Sequence, residues 1–488
     1  MNLFGTAGIR GDVTERVTPE LALAVGRAVA TEIRAPERIV DGEDAGSRTT
    51  PAPEVVLARD GRVSGGALAA AMEAGLTAGG VEVRRAGRLP TPALAYASRG
   101  RYGVMLTASH NPPTDNGIKC FRDGREFSDE LEAAIESRVE EGVSPASWDE
   151  WTEAHRIDPL ADYRAAVREY ATGFGANLDG LRIAVDCGNG MSAPATPTVL
   201  RELGAAVVTL NGNVDGYFPG RGSKPTPETL QDLRSFVSDA NAGIDEPGRA
   251  GRDDDGFAFG IGHDGDADRI VIVDAAGEVV HEDTVLAILA EAYVRRSEAA
   301  EPVVVTTPNA SGRIDERVRA AGGRVERVRL GALHEGIARV EQGSEDGGEG
   351  GRTVAFAAEP WKHIHVPFGG WIDGVCSAAV IARLVADEGL DALREPVTER
   401  PYRKLSVTCS DERKRPAMDA LATSLPEAFP EASVDTDHGV RLEFPDAAWA
   451  LVRPSGTEAY IRIYAESDAV DTLVEDVRAV VEDAIADE

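Results

Sequence analysis

The sequence predicts an α/β protein: three similar α/β domains with mixed, Rossmann-like sheets, followed by a smaller α+β domain. Three observations carry this. At 488 residues the chain is too long for one core, because a domain holds roughly 150 residues. A strand, loop, helix, strand order recurs from Val55, from Leu181 and from Pro302, at intervals near one domain length of roughly 120 residues. After Glu395 the pattern changes to shorter strands around two helical segments, as expected of an α+β unit. The boundaries implied are 1–158, 159–276, 277–395 and 396–488.

In order along the chain, Leu21 to Arg34 reads as a helix, with Leu21, Val25, Ala28, Val29 and Ile33 near helical spacing. Ala35 to Pro53 is polar and rich in Gly, Asp, Ser and Thr, and is expected to be a loop. Val55 to Ala58 is a buried strand, Ala67 to Leu76 an Ala-rich helix that Ser64 would cap, and Val81 to Val83 the next strand. Gly103 to Leu106 then delivers Ser109 at a strand's C-terminal end, where open α/β sheets place their ligands. Leu181 to Val185 and Val207 to Leu210 flank a helix through Leu203, and Pro302 to Thr306 precedes a helix from Arg313 to Ala321 and a strand around Val325 to Val328. Asn241 to Asp255 reads as a solvated loop. In the last domain, strands are expected over Arg403 to Thr408, Gly439 to Phe444, Ala448 to Val452 and Ile461 to Ala465, with helices over Ala417 to Ser424 and Ala469 to Ala486.

The formal charge of −32 argues against nucleic acid or an anionic membrane as partner. No apolar run approaches the ~18 residues of a membrane span, and Met1 to Gly5 leads into no signal-peptide core; a cytoplasmic protein, monomer or homodimer, is expected. Cys120, Cys187, Cys376 and Cys409 form no C-x-x-C pair and are expected as free thiols. Lysine occurs only at 119, 224, 362, 404 and 414, every other base being arginine. An acidic surface with scarce lysine fits a salt-adapted protein, whose self-repulsion molar salt would screen.

Four stretches carry chemistry. Leu106 to Phe121 reads L-T-A-S-H-N-P-P-T-D-N-G-I-K-C-F. Pro112 and Pro113 keep the residues before them out of a helix, so Ser109 sits on an irregular loop with His110 beside it and Lys119 ten residues on. A serine and a lysine on one loop suggest a nucleophile and a proton carrier, although Ser, Asn and Pro also make ordinary turns. Between two apolar runs stands His263-Asp264-Gly265-Asp266-Ala267-Asp268-Arg269. Three carboxylates so close repel unless a cation joins them, and oxygen-only ligands favour Mg²⁺ before Ca²⁺. An EF-hand would need Gly and Glu where Arg269 and Ala275 stand. Phe4 to Gly11 (F-G-T-A-G-I-R-G) offers a close-approach backbone and the Arg10 fork, suited to phosphate. Arg453-Pro454-Ser455-Gly456-Thr457-Glu458 places a guanidinium, two hydroxyls and a glycine within five residues, a nest for a phosphate that does not react, with Arg462 in support.

T-A-S-H-N-P followed by N-G-I-K resembles the phosphoserine loop of the α-D-phosphohexomutase superfamily, the phosphoglucomutases, phosphomannomutases and phosphoglucosamine mutases. D-G-D-A-D-R is similar to its metal loop, F-G-T-A-G-I-R-G to its N-terminal signature, and R-P-S-G-T-E to its phosphate loop, with Ala459 in place of the usual proline. The family's sugar-recognition loop, G-E-x-S-G-H, is matched less well by Ala358-Glu359-Pro360-Trp361-Lys362-His363: Glu359 and His363 agree, whereas Trp361 and Lys362 replace the serine and glycine. Trp361 would add a stacking face, or is simply core, and Lys362 a charge.

The resemblance implies an active site in the cleft between the domains. Ser109, carried as phosphoserine, would donate its phosphoryl group to a sugar monophosphate, making a bisphosphate, and take back the other phosphate. Mg²⁺ would sit on Asp264, Asp266 and Asp268 and touch the Ser109 phosphate; Arg10 and Arg269 would assist, Lys119 or His110 would move the proton, and Arg453, Ser455, Gly456, Thr457 and Arg462 would hold the idle phosphate. Glu359, Trp361, Lys362 and His363 would read the sugar, whether glucose, mannose, glucosamine or a pentose. The rivals are a non-catalytic sugar-phosphate sensor and an aspartate-nucleophile phosphatase, which wants D-x-D-x-T where this chain has Asp268.

Overall fold

The computed structural model describes residues 3–5, 8–35, 53–242, 256–342, 353–455 and 459–486. Most of the two expected polar loops, 35–53 and 241–255, lies outside these. The chain divides into two compact units, 1–280 with 361–390, and 281–360 with 391–488.

The first unit holds two sheets. In one, Glu54–Arg59 lies between parallel neighbours Tyr102–Leu106 and Glu82–Arg88, with Ala154–Arg156 parallel beyond the latter. Asp115–Arg122 then runs antiparallel between Tyr102–Leu106 and Ile9–Asp12, which makes the sheet mixed. Val55, Val56 and Leu57 are consecutive and all buried, as expected where a strand is covered on both faces. Helices Pro19–Ile33 and Gly65–Ala78 pack closely on each other because Gly26 and Gly75 meet at their crossing: a Cβ on Gly26 would lie 2.6 Å from the Met72 carbonyl oxygen. The second sheet orders Ile270–Val273, Phe259–His263, Arg182–Asp186 and Ala206–Leu210. Only its first pair is antiparallel, so the connection 264–269 returns directly from one buried strand to its neighbour.

The second unit contains the parallel strands Arg324–Arg327, Pro302–Thr306 and Thr353–Glu359, and an antiparallel sheet in the order Tyr402–Thr408, Tyr460–Glu466, Trp449–Pro454, Val440–Glu443, Ser433–Asp435. Helices Asp411–Ala428 and Val470–Ala486 bury Leu421, Leu425, Val477 and Val481 against Ile461 and Ile463 of that sheet.

Two expectations need correcting. Ser64 sits at the start of helix Gly65–Ala78 but makes no side-chain cap; its Oγ instead accepts from Asn116 Nδ2 at 3.0 Å. The helix expected over Ala417 to Ser424 runs over Asp411–Ala428, with Pro416 and Pro426 inside it. Burial of Ala417, Leu421 and Leu425 along one face outweighs the backbone bonds those prolines remove. Ser433–Asp435, three exposed residues, was not foreseen as a strand. All four cysteines are free and buried. No helix among the described residues is long and apolar enough to cross a membrane.

Candidate active site

Ser109 lies three residues past the end of strand Tyr102–Leu106, fully buried, in the left-handed region at φ 50°. Its backbone is tied on both sides: N–H donates to Thr107 Oγ1 at 2.9 Å, and the carbonyl accepts from Arg62 Nη2 at 2.9 Å. Oγ donates to Asp264 Oδ2 at 2.6 Å, and His110 Nδ1 stands 3.3 Å away. The hydroxyl thus meets the acidic loop that joins strands Phe259–His263 and Ile270–Val273.

That loop turns through Ala267 at φ 64°, and His263 Nδ1 closes it on the Arg269 carbonyl at 2.8 Å. The donor atoms of Asp264, Asp266 and Asp268 lie within 4.8 Å of one another, and all three residues are buried. Asp266 Oδ2 accepts from Thr91 Oγ1 at 2.6 Å and touches Thr107 Oγ1 at 3.2 Å. Its Oδ1, like Oδ1 of Asp268, is buried without a hydrogen-bond partner. Burial, then Asp268 and Asp266, push the Asp264 carboxyl well above its usual range. Burial acts the same way on Asp268, but Lys119, Arg269 and Lys362 outweigh it and hold that carboxyl below the usual range. Orphaned carboxylate oxygens, an all-oxygen donor set and a crowded negative charge fit a small hard divalent cation.

Lys119, buried on strand Asp115–Arg122, places Nζ 3.1 Å from Asp268 and 3.6 Å from Glu126. Burial works to strip its proton, but Asp268, Glu126 and Asp266 more than offset this and raise its pKa, so it stands as a cation. His110 is neutral: burial, then Arg269 and Arg10, lower its pKa to about 2. Arg10, on strand Ile9–Asp12, pairs in register with Gly117 at the far end of the serine loop. Arg269 Nε lies 3.9 Å from Asp264 and 3.8 Å from Asp268. Five of the residues singled out from the sequence, Ser109, Lys119, Asp264, Asp266 and Asp268, therefore share one buried cluster, with His110 and Arg269 at its edge.

The sugar-loop residues make separate contacts within their own units. Lys362 forms a backbone bridge with Arg269, beside the acidic loop. Trp361, at φ 69°, packs against the apolar cluster of Phe257, Val271 and Val273. His363 is buried; its Nδ1 lies 3.0 Å from Ser377 Oγ, which donates to the Asp373 carbonyl and also receives His365 Nε2 at 2.8 Å. Burial pushes His363 down to about 3, so it is neutral. Glu359 belongs to the second unit, where Oε1 accepts from Gly331 N–H at 2.6 Å.

Also in the second unit, Arg453 and Arg462 are directly opposed on neighbouring strands, and both reach Tyr464 Oη, at 3.0 and 3.5 Å. Lys414 Nζ donates to the Ser455 carbonyl at 2.7 Å, and Lys404 stands over the Tyr464 ring. Like charges placed so close favour an anion among them. Gly456 and Thr457 lie outside the described residues.

Sequence reasoning missed Asp60, Arg62, Thr91, Thr107, Ser223 and Lys414. Asp60-Gly61-Arg62 follows a buried strand at its C-terminal end, and charged residues there were the available signal. For Lys414 the signal was the scarcity of lysine.

The sequence matches the phosphoglucomutase/phosphomannomutase family throughout: alpha/beta/alpha domain I over residues 1–145, domain II over 162–277, domain III over 281–402 and the C-terminal domain over 407–484. It is 39% identical over 478 residues to a phosphopentomutase of Thermococcus kodakarensis, covering 96% of this chain and 94% of that protein. It is 40% identical over 472 residues to a probable phosphoglucosamine mutase of Methanopyrus kandleri, again covering 96% and 94%. Among solved structures, a phosphoglucomutase/phosphomannomutase family protein of Burkholderia thailandensis superposes with a TM-score of 0.80 at 24% identity, covering 99% of this chain and 97% of the other. A phosphoglucomutase of Paramecium, parafusin, gives 0.75 at 18% identity, covering 99% and 95%.

Proposed function

The chain belongs to the phosphoglucomutase/phosphomannomutase family, within the α-D-phosphohexomutase superfamily, and is a phosphomutase, an isomerase working by phosphoryl transfer; from that premise we propose that it interconverts sugar 1-phosphates and 6-phosphates through phosphorylated Ser109. The observation that carries this reading is the Ser109 hydroxyl donating to Asp264 at 2.6 Å inside the triad of buried aspartates.

In the forward half, the bond between phosphorus and Ser109 Oγ breaks as one forms between phosphorus and a free sugar hydroxyl oxygen. The hydroxyl loses its proton and Oγ gains one, leaving a sugar bisphosphate. In the return half the bisphosphate is held the other way round: Oγ loses its proton and attacks the phosphate the sugar arrived with, the bond from that phosphorus to the sugar oxygen breaks, and the freed sugar hydroxyl takes up a proton. Asp264 Oδ2 is the nearest group to Oγ, at 2.6 Å; of the two proton carriers, His110 Nδ1 lies 3.3 Å from Oγ and Lys119 is paired with Asp268. Asp264, Asp266 and Asp268 would hold Mg²⁺, which when bound supplies positive charge to the phosphoryl oxygens. Arg269 and Arg10 would add to that charge. To Arg453 and Arg462, opposed and beside Lys414, we assign the phosphate that is not reacting.

Sugar recognition would rest on Glu359 and Lys362, since Trp361 is engaged with apolar core and His363 with Ser377. The hexoses glucose, mannose and glucosamine are the first candidates. A pentose is the second, favoured by the 39% identity to a phosphopentomutase. The test assays glucose, mannose, glucosamine and ribose 1-phosphates with Mg²⁺ in low and molar salt, beside Ser109→Ala. One or more should be isomerised by the wild type and none by the variant. No turnover on any sugar in either salt, or full activity of Ser109→Ala, sinks the reading.

A further inference from the structure

Arg62 is fully buried and spends all its N–H groups on named acceptors. Nε donates to Asp60 Oδ2 at 3.0 Å, Nη1 to the carbonyls of Pro112 and Asp115, and Nη2 to those of Ser109 and Asn111, at 2.9 and 2.7 Å. One side chain therefore gathers four carbonyls of the serine loop. Two prolines in that loop lack N–H groups, and the loop's own backbone hydrogen bonds are short-range turns, from Asn111 N–H to the Ala108 carbonyl and from Asp115 N–H to the Pro112 carbonyl.

The same Asp60 oxygen also accepts from Thr107 Oγ1 at 2.8 Å, and Thr107 Oγ1 receives the Ser109 N–H at 2.9 Å. Both sides of Ser109, its N–H through Thr107 and its carbonyl through Arg62, thus lead back to one carboxylate. Between those two ties Ser109 is at φ 50°, a conformation that L residues other than Asn and Asp rarely adopt without support. The backing is closed from outside by Phe218, whose ring centroid lies 5.1 Å from the Arg62 guanidinium carbon, and by Ser223 Oγ, which donates to the Asn111 carbonyl at 2.9 Å.

We propose that Asp60 and Arg62 are a positioning pair that locks Ser109 in its left-handed conformation, aiming Oγ into the aspartate triad and so setting the rate of phosphoryl transfer. Neither side chain reaches Oγ, so they act through the loop and not on the reacting atoms. The inference rests on the phosphoserine reading above. A lysine at 62 keeps the charge but is a point donor that cannot span four carbonyls, and a displacement of about 1 Å at a reacting group costs about 100-fold in rate.

The test compares Arg62→Lys and Thr107→Val with Gly26→Ala, a packing variant remote from the loop. Measured are kcat and KM for whichever sugar phosphate is turned over, the melting temperature, and labelled phosphate on Ser109 from the matching sugar bisphosphate. Arg62→Lys is expected to lower kcat about 100-fold with KM little changed, and Gly26→Ala to lose stability while keeping kcat. A kcat for Arg62→Lys within threefold of wild type, or a fall that Gly26→Ala matches at equal loss of melting temperature, overturns the proposal. If Arg62→Lys does not fold, Thr107→Val decides alone on the same threefold criterion. Wild type that turns over sugar without ever carrying phosphate on Ser109 removes the phosphoserine premise, and the pair's role with it; phosphorylated wild type with an unimpaired Arg62→Lys rejects the pair only.

Discussion

At the scale of single residues, buried charge is tolerated where opposite charge answers it. Lys119 keeps its proton in the core because Asp268, Glu126 and Asp266 face it, and Asp268 stays ionised because Lys119 and Arg269 do. Glu132, on helix Asp129–Glu141, lacks such an answer. Burial, then Glu126, Asp129 and Glu136, push its carboxyl up to about 8. The folded chain therefore holds this proton more tightly than the unfolded one, so the stability it contributes is complete below the ordinary glutamate range and lost as pH rises through about 8. Glu132→Gln is permanently neutral. Thermal melts at pH 5 and pH 9 in fixed salt should show the variant gaining on wild type at pH 9 and matching it at pH 5. Parallel pH slopes for the two proteins would mean that Glu132 ionises as freely folded as unfolded.

At the scale of elements, the tightest constraint in the first sheet's helical layer is the crossing of Pro19–Ile33 with Gly65–Ala78. A Cβ on Gly26 would stand 2.6 Å from the Met72 carbonyl and 3.1 Å from Gly75 Cα, so one helix must move. Overpacking of this kind costs typically ~1–3 kcal/mol. Gly26→Ala should lower the denaturant midpoint accordingly with the slope unchanged; an unchanged midpoint would show that the crossing opens freely. Periodicity disclosed these helices to within a few residues, because burial of one face leaves its mark at every turn. It did not disclose that Ser64 gives its oxygen to Asn116, since that partner comes from a strand 52 residues away. Nor did it reveal a helix through Pro416, because the local cost of proline is legible and the compensating burial of Leu421 and Leu425 is not.

At the scale of the whole molecule, charge dominates. With 83 acidic and 51 basic residues the chain repels itself, and raising salt from 0.1 to 1 M shortens the screening length from ~10 to ~3 Å. We read the composition as salt adaptation. The melting temperature should climb with potassium chloride across that range, and a melting temperature indifferent to salt would show that the surface carboxylates are already offset locally. Each of the few lysines has a specific contact: Lys119 faces Asp268, Lys362 bridges to Arg269, Lys224 acts on His110, Lys404 stands over the Tyr464 ring and Lys414 donates to the Ser455 carbonyl.

The sequence alone determined the order of the domains and the family, and it singled out the serine and the three aspartates as candidates, because those are runs of adjacent residues whose chemistry depends on spacing a few positions long. Tertiary structure alone decided what surrounds them. Asp60 and Arg62 lie about 50 residues before Ser109, and Asp264 lies 155 after it; only the folding of strand ends onto one another turns them into a buried clamp and an acceptor. The same holds for the contacts of Trp361 and His363, the first half-buried against an apolar cluster and the second buried beside Ser377. Burial and direction are properties of packing, and no local pattern encodes which way a loop side chain turns.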